Sequence, residues 1–289
     1  MLLTKYDTII YGDIMKDELK KEDYEEPRCL LNMDIDSDES THVDVRRIIE
    51  RLDDYYWKND LKGTLEFLDY WYNESKKLHN DELLLSILNE RMGYFRKQGY
   101  IKEGLNSIEE SQIVLKRLHG VDEIYVGTTY VNIATVYKTF NMSEQALPFY
   151  EKAKVIYEQK LEKNDILIAG LYNNMGLALV DLNRFDEAIL LYQKAIDILN
   201  QYQYEYLDIA ITYLNMANLY EKKLGLIEAT NIIEDLLSKA MTLLDQVYTK
   251  NIGYYAYVCD TCSSTFSYYG YFSYASILKE RAKKIYERS

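Results

Sequence analysis

Cys259 and Cys262 form a CxxC pair, the spacing of a redox dithiol or of half a zinc site. A zinc site needs two further ligands, and the third cysteine, Cys29, is remote in sequence. The pair also falls on the inward helical stripe described below, so both are expected to be core thiols. Asp34, Asp36 and Asp38 mimic the start of a calcium loop, but its glycine is missing and Val45 stands where the bidentate glutamate belongs. His42, His79 and His119 are scattered and are expected at the surface. No phosphate-cradling glycine loop, GxSxG elbow or HExxH pair occurs. Amides recur instead. Asn132, Asn174 and Asn215 are spaced by 42 and 41 residues, with Thr128, Thr135, Lys138, Asn173, Leu177 and Asn218 around them. An asparagine offers a donor and an acceptor together, so a ladder of them can pair with the backbone of an extended peptide. The same ladder can equally bridge neighbouring helices. These nine residues are the expected peptide-binding groove, and no catalytic residue, metal or cofactor is expected, so the chain reads as a non-enzyme.

The elements that carry these residues follow from a repeat. Asn59, Gly99, Asn141, Asn183, Gly225 and Gly270 share one column, with successive gaps of 40, 42, 42, 42 and 45 residues. Glycine and asparagine tolerate the left-handed backbone with which a helix ends before a sharp turn. Four or five residues later comes a column of small side chains: Thr64, Gly104, Ala146, Ala188, Ala229 and Ala275. Small residues there let a second helix lie close against the first. Tyr172, Met175, Gly176 and Leu179 form an apolar stripe at helical spacing, and Ala188, Leu191, Tyr192, Ala195 and Leu199 repeat it after the turn. Each unit is therefore an antiparallel helical hairpin that buries its apolar faces only by stacking on its neighbours. With only 2 prolines and 12 glycines among 289 residues, a sandwich of many short strands is excluded.

In unit four, LYNNMGLALVDLNRFDEAILLYQKAIDIL resembles a tetratricopeptide repeat. Tyr172, Met175, Gly176, Leu179, Asn183, Phe185, Ala188, Tyr192 and Ala195 fall where that family places its aromatic, Leu, Gly, Tyr, Gly, Tyr, Ala, Tyr and Ala. The period near 42 residues exceeds the family's usual length of about 34, and in that respect resembles the long repeats of kinesin light chains and their bacterial relatives. The resemblance implies an all-α, right-handed superhelical solenoid of about six helix-turn-helix repeats over 43–289, in units 43–81, 82–121, 122–164, 165–204, 205–252 and 253–289. It also implies a scaffold that binds a peptide or protein segment along its concave groove in units three to five. The family's chaperone-tail binders clamp a terminal carboxylate with Lys and Arg; the matching positions here hold Thr128, Val131, Gly170 and Asn173, so that ligand is not expected. An alternative is a peptide-sensing switch similar to bacterial quorum-sensing regulators with long repeats. Those carry an effector module before the repeats, for which residues 1–42 leave little room.

Charge narrows the partners. Lys and Arg number 34 against 47 Asp and Glu, a net charge of −13, of which −7 lies in the acidic arm over 1–42. Nucleic acid and anionic membrane surfaces both call for a basic patch, so neither is expected, and a neutral or basic peptide is favoured. The amino terminus has no cleavable apolar stretch behind basic residues, and three unpaired cysteines fit a reducing compartment, so a cytoplasmic location is expected. The 30 tyrosines concentrate in unit six, at Tyr254, Tyr255, Tyr257, Tyr268, Tyr269, Tyr271 and Tyr274, where they are expected mainly to pack one repeat on the next.

Overall fold

Side-chain caps start several of the helices, and residues with positive φ turn the chain from the first to the second helix of each hairpin after the first. The computed structural model describes residues 45–57, 60–202, 205–246 and 252–287. These form twelve helices and no strand: α1 (Val45–Trp57), α2 (Leu61–Lys77), α3 (Asp81–Gln98), α4 (Ile101–Arg117), α5 (Glu123–Thr139), α6 (Ser143–Lys160), α7 (Ile166–Asp181), α8 (Phe185–Leu199), α9 (Tyr206–Leu224), α10 (Leu226–Leu244), α11 (Ile252–Tyr268) and α12 (Phe272–Tyr286). Asn80, Asp122 and Asp165 each accept a backbone N–H at the start of α3, α5 and α7, satisfying donors that a helix N-terminus leaves open. The acidic arm, with Asp34, Asp36, Asp38 and Cys29, and the turn residue Asn59 lie outside the described residues.

The remaining five members of the turn column, Gly99, Asn141, Asn183, Gly225 and Gly270, all adopt positive φ, between 58° and 88°. Four of these turns close alike: the N–H of Tyr100, Met142, Arg184 and Tyr271 donates to the carbonyl of Phe95, Tyr137, Leu179 and Phe266, at 2.8–2.9 Å. That bond recovers a carbonyl the helix end would leave orphaned, and it reverses the chain into the next helix. Gly225 departs from this pattern. Its N–H donates to Glu221 O at 2.8 Å and α10 begins at the next residue.

Each odd-numbered helix pairs with the even-numbered helix after it, and the odd-numbered helices also pack on one another: α3 on α5, α5 on α7, α7 on α9 and α9 on α11. The small-residue column lies at the heart of each hairpin, with Thr64, Ala146, Ala188 and Ala229 fully buried. The result is an all-α solenoid of helical hairpins in which the odd-numbered helices line one continuous face. Among the described residues, no helix is long and apolar enough to cross a membrane.

Candidate functional site

Four successive odd-numbered helices frame a cavity of about 650 Å³ on that face. Lys138 reaches it from α5; Leu177, Val180 and Asp181 from α7; Leu214, Asn215, Asn218, Glu221 and Lys222 from α9; and Thr261, Thr265 and Tyr268 from α11. Its size falls within the range of about 300–1,000 Å³ typical of ligand pockets. Leu177, Val180 and Leu214 supply its apolar surface.

The polar groups form two clusters. Asp181 gathers three repeats: its carboxylate lies 3.6 Å from Lys138 Nζ and 3.3 Å from Lys222 Nζ, and it accepts a 3.0 Å bond from Ser143 Oγ at the start of α6. Glu221, in the last turn of α9, accepts the hydroxyls of Tyr268 at 2.6 Å and Tyr269 at 2.8 Å. Its negative charge holds the Tyr268 phenol above its ordinary range, chiefly through that hydrogen bond; burial and the same carboxylate raise Tyr269. Both tyrosines therefore stay neutral donors at physiological pH. Tyr192 of α8 also borders the cavity. Its hydroxyl is fully buried with no hydrogen-bond partner, and burial raises its pKa well above the ordinary phenol range.

Of the nine residues expected in the groove, Lys138, Leu177, Asn215 and Asn218 meet around this cavity. The expected Asn132–Asn174–Asn215 ladder is replaced by two separate amide pairs: Asn132 Nδ2 donates to Asn89 Oδ1 at 3.0 Å, and Asn215 Nδ2 to Asn173 Oδ1 at 3.2 Å. Asn89 in turn donates to Thr129 Oγ1 at 3.0 Å, so these amides satisfy one another between adjacent odd-numbered helices. Asn173 and Asn174 are both buried, and Asn132 borders a separate cavity of about 120 Å³ with Asn89 and Arg96. Thr128 and Thr135 face their own hairpin partner instead, within 2.8 Å of Tyr157 OH and 3.1 Å of Tyr150 OH.

Sequence reading missed several of these residues. Asn89, the partner of Asn132, stands ten residues before Gly99, as Asn173 and Asn215 stand before Asn183 and Gly225; aligning on the turn column finds it. The cavity also extends beyond units three to five to take a wall from α11. The CxxC thiols are both buried; burial pushes Cys259 up to about 11 and Cys262 higher still, so both stay protonated and unreactive near neutrality. The unit-six tyrosines staple repeats together: Tyr254 donates to Asp208 of α9 at 2.7 Å, and Tyr274 to Asp245 at 3.0 Å.

Residues 127–159 and 169–200, the hairpins α5–α6 and α7–α8, match the tetratricopeptide repeat family model. These two hairpins are tetratricopeptide repeats. A Rap protein, solved in complex with competence and sporulation factor, superposes with a TM-score of 0.62 at 17% identity, covering 92% of this chain and 68% of that one. NprR in complex with its cognate peptide NprX gives 0.56 at 16% identity over 82% of this chain and 66% of that one. BtubC (BKLC) from P. vanneervenii gives 0.55 at 17% identity over 78% of this chain and 90% of that one. At these identities the likeness is one of fold, an all-α solenoid of stacked helical hairpins. No curated protein sequence matches the chain.

Proposed function

We propose that this tetratricopeptide solenoid is a non-enzymatic scaffold that binds a peptide or protein segment in the cavity framed by α5, α7, α9 and α11. The observation that carries the reading is the convergence of four odd-numbered helices on one concavity of about 650 Å³ lined by both apolar and polar side chains. An extended segment lying across the helices would set its apolar side chains against Leu177, Val180 and Leu214 and its backbone against Asn215 and Asn218. Asn173 supports the groove by accepting from Asn215, while Thr128 and Thr135 hold tyrosines of α6 in place. No nucleic-acid or membrane partner is proposed, given a net charge of −13.

The test incubates the full chain with a peptide fraction, washes it, and sequences the released peptides by mass spectrometry. Leu177→Arg, at a half-buried position, places a bulky cation on the apolar surface without emptying the core. Retention by the wild type and a drop of about tenfold or more in the folded variant supports the cavity. Equal retention by both moves the binding surface elsewhere.

The second reading, a peptide-sensing switch, draws on Asp181, which ties together α5, α6, α7 and α9 at the edge of the cavity. A ligand that displaced one of its lysines would alter how units three to five stack. Small-angle scattering with and without bound peptide separates the two: a change in radius of gyration supports a switch, and an unchanged curve supports a passive scaffold. The proteins solved with competence and sporulation factor and with NprX add support through shared fold alone.

A further inference from the structure

We propose that the α9–α11 end of the cavity receives a basic side chain, lysine or arginine, through the Glu221 carboxylate and the neighbouring ring of Tyr268. The inference rests on the peptide-groove reading and specifies its ligand. The cavity holds two carboxylates, and they differ in what already matches them. Asp181 is bracketed by two ammonium groups, Lys138 and Lys222. Glu221 is held by two hydroxyls, from Tyr268 and Tyr269, and no described lysine or arginine pairs with it. A hydroxyl satisfies a lone pair without cancelling the charge, and a carboxylate has further acceptor sites for an incoming N–H. The carboxylate is therefore held in position without a described ion-pair partner.

The aromatic surroundings fit the same ligand. Tyr268 is 67% exposed and meets Tyr269 edge to face, with ring centroids 5.0 Å apart and planes at 78°. An exposed aromatic ring beside a carboxylate is the combination that attracts a guanidinium or ammonium group. Across the cavity, the apolar surface suits aliphatic neighbours of that basic residue. An acidic side chain at this end would meet Glu221 unpaired, and the net charge of −13 repels it at longer range.

The experiment presents the full chain with three pentapeptide libraries, random except for a central arginine, citrulline or glutamate, and quantifies retention by mass spectrometry. Citrulline keeps the shape of arginine and removes its charge. The expected result is retention of the arginine library by about fivefold over citrulline, with the glutamate library at the blank level. Glu221→Gln keeps an acceptor for the tyrosine hydroxyls while removing the charge, so it is expected to fold and to bring arginine and citrulline level. Equal retention of arginine and citrulline by the wild type, or an arginine preference that survives in Glu221→Gln, overturns the proposal while leaving the groove reading intact. Retention of no library above a protein-free blank overturns both.

Discussion

The two ends of the solenoid share one hairpin plan but differ in how their cores connect. From α5 to α12 the buried side chains form one continuous cluster, running from Ala134 to Ala282. From α1 to α5 the apolar residues divide into three smaller clusters, around Leu52 and Phe67, around Leu84 and Val114, and around Met92 and Ile133. One column differs between the later units and unit two. Eight residues after the turn, the later units place Phe149, Leu191, Ile233 and Leu278, whereas unit two places Ser107. Ser107 and Ser111 are both buried, and their hydroxyls bond back to Glu103 O and Ser107 O within their own helix, so neither reaches across an interface. The same backbone plan thus supports a continuous or a divided core, and the difference lies in a few side chains at inter-helix positions.

The largest expected effect comes from emptying each core in turn. Phe266→Ala, in the continuous cluster, is expected to cost about 3–5 kcal/mol and to lower the urea midpoint of the helical circular dichroism signal. Phe67→Ala is expected to act locally. Both tryptophans, Trp57 and Trp71, lie in the first hairpin, so their fluorescence reports that end alone. In Phe67→Ala the fluorescence transition is expected at lower urea than the helix transition. Coincident transitions in that variant would mean one cooperative core, and the contrast between the two ends would be lost.

A matched pair of glycines gives the next effect, with opposite signs. A Cβ at Gly176 would come within 2.6 Å of the buried Tyr192 ring, whereas at Gly93 of α3 it would meet nothing within 4 Å. Gly176→Ala is expected to destabilise by about 1–3 kcal/mol through overpacking. Gly93→Ala is expected to stabilise by about 0.5–1 kcal/mol, because alanine has less conformational freedom to lose in a helix. Thermal melts of both variants check the pair, and a shared sign would refute it.

The smallest effect concerns Asp53 of α1. Burial, with Asp54 and Glu50 nearby and Lys97 opposing them, raises its carboxyl to about 6. The folded chain therefore holds this proton more tightly than the unfolded chain, so its stabilising contribution is present in acid and is lost as pH rises from about 4 through about 6. Asp53→Asn is expected to stabilise the first hairpin by about 1 kcal/mol near neutrality, allowing for partial solvent screening, and by nothing near pH 4. Tryptophan-monitored urea melts at the two pH values measure it.

Much of this architecture is legible in the residues themselves. The turn column is readable because a positive φ is a local demand that Gly and Asn meet at least cost, and every described member of the column adopts it. The apolar stripes and the small-residue column are readable because helical periodicity and close approach both leave a mark in sequence. Cys259 and Cys262 fall on such a stripe and are buried as it implies. The site is less legible. Thr128 and Thr135 lie near the asparagine ladder in sequence, yet Tyr157 and Tyr150 of the partner helix claim their hydroxyls. Glu221 has no periodic signature, and its surroundings come from Tyr268 and Tyr269, 47 and 48 residues away.

The sequence by itself determined where the first helix of each hairpin stops, which face of it is apolar and how many hairpins must stack, because these depend on backbone conformation and on side-chain period within one unit. Only the tertiary structure decided which polar groups face each other between units. The stacking of one hairpin on the next brings Lys138, Asp181 and Lys222 together and leaves Glu221 among hydroxyls. Those pairings depend on packing between helices whose axes lie about 8–10 Å apart, a distance set by the side chains between them and not by any one repeat alone.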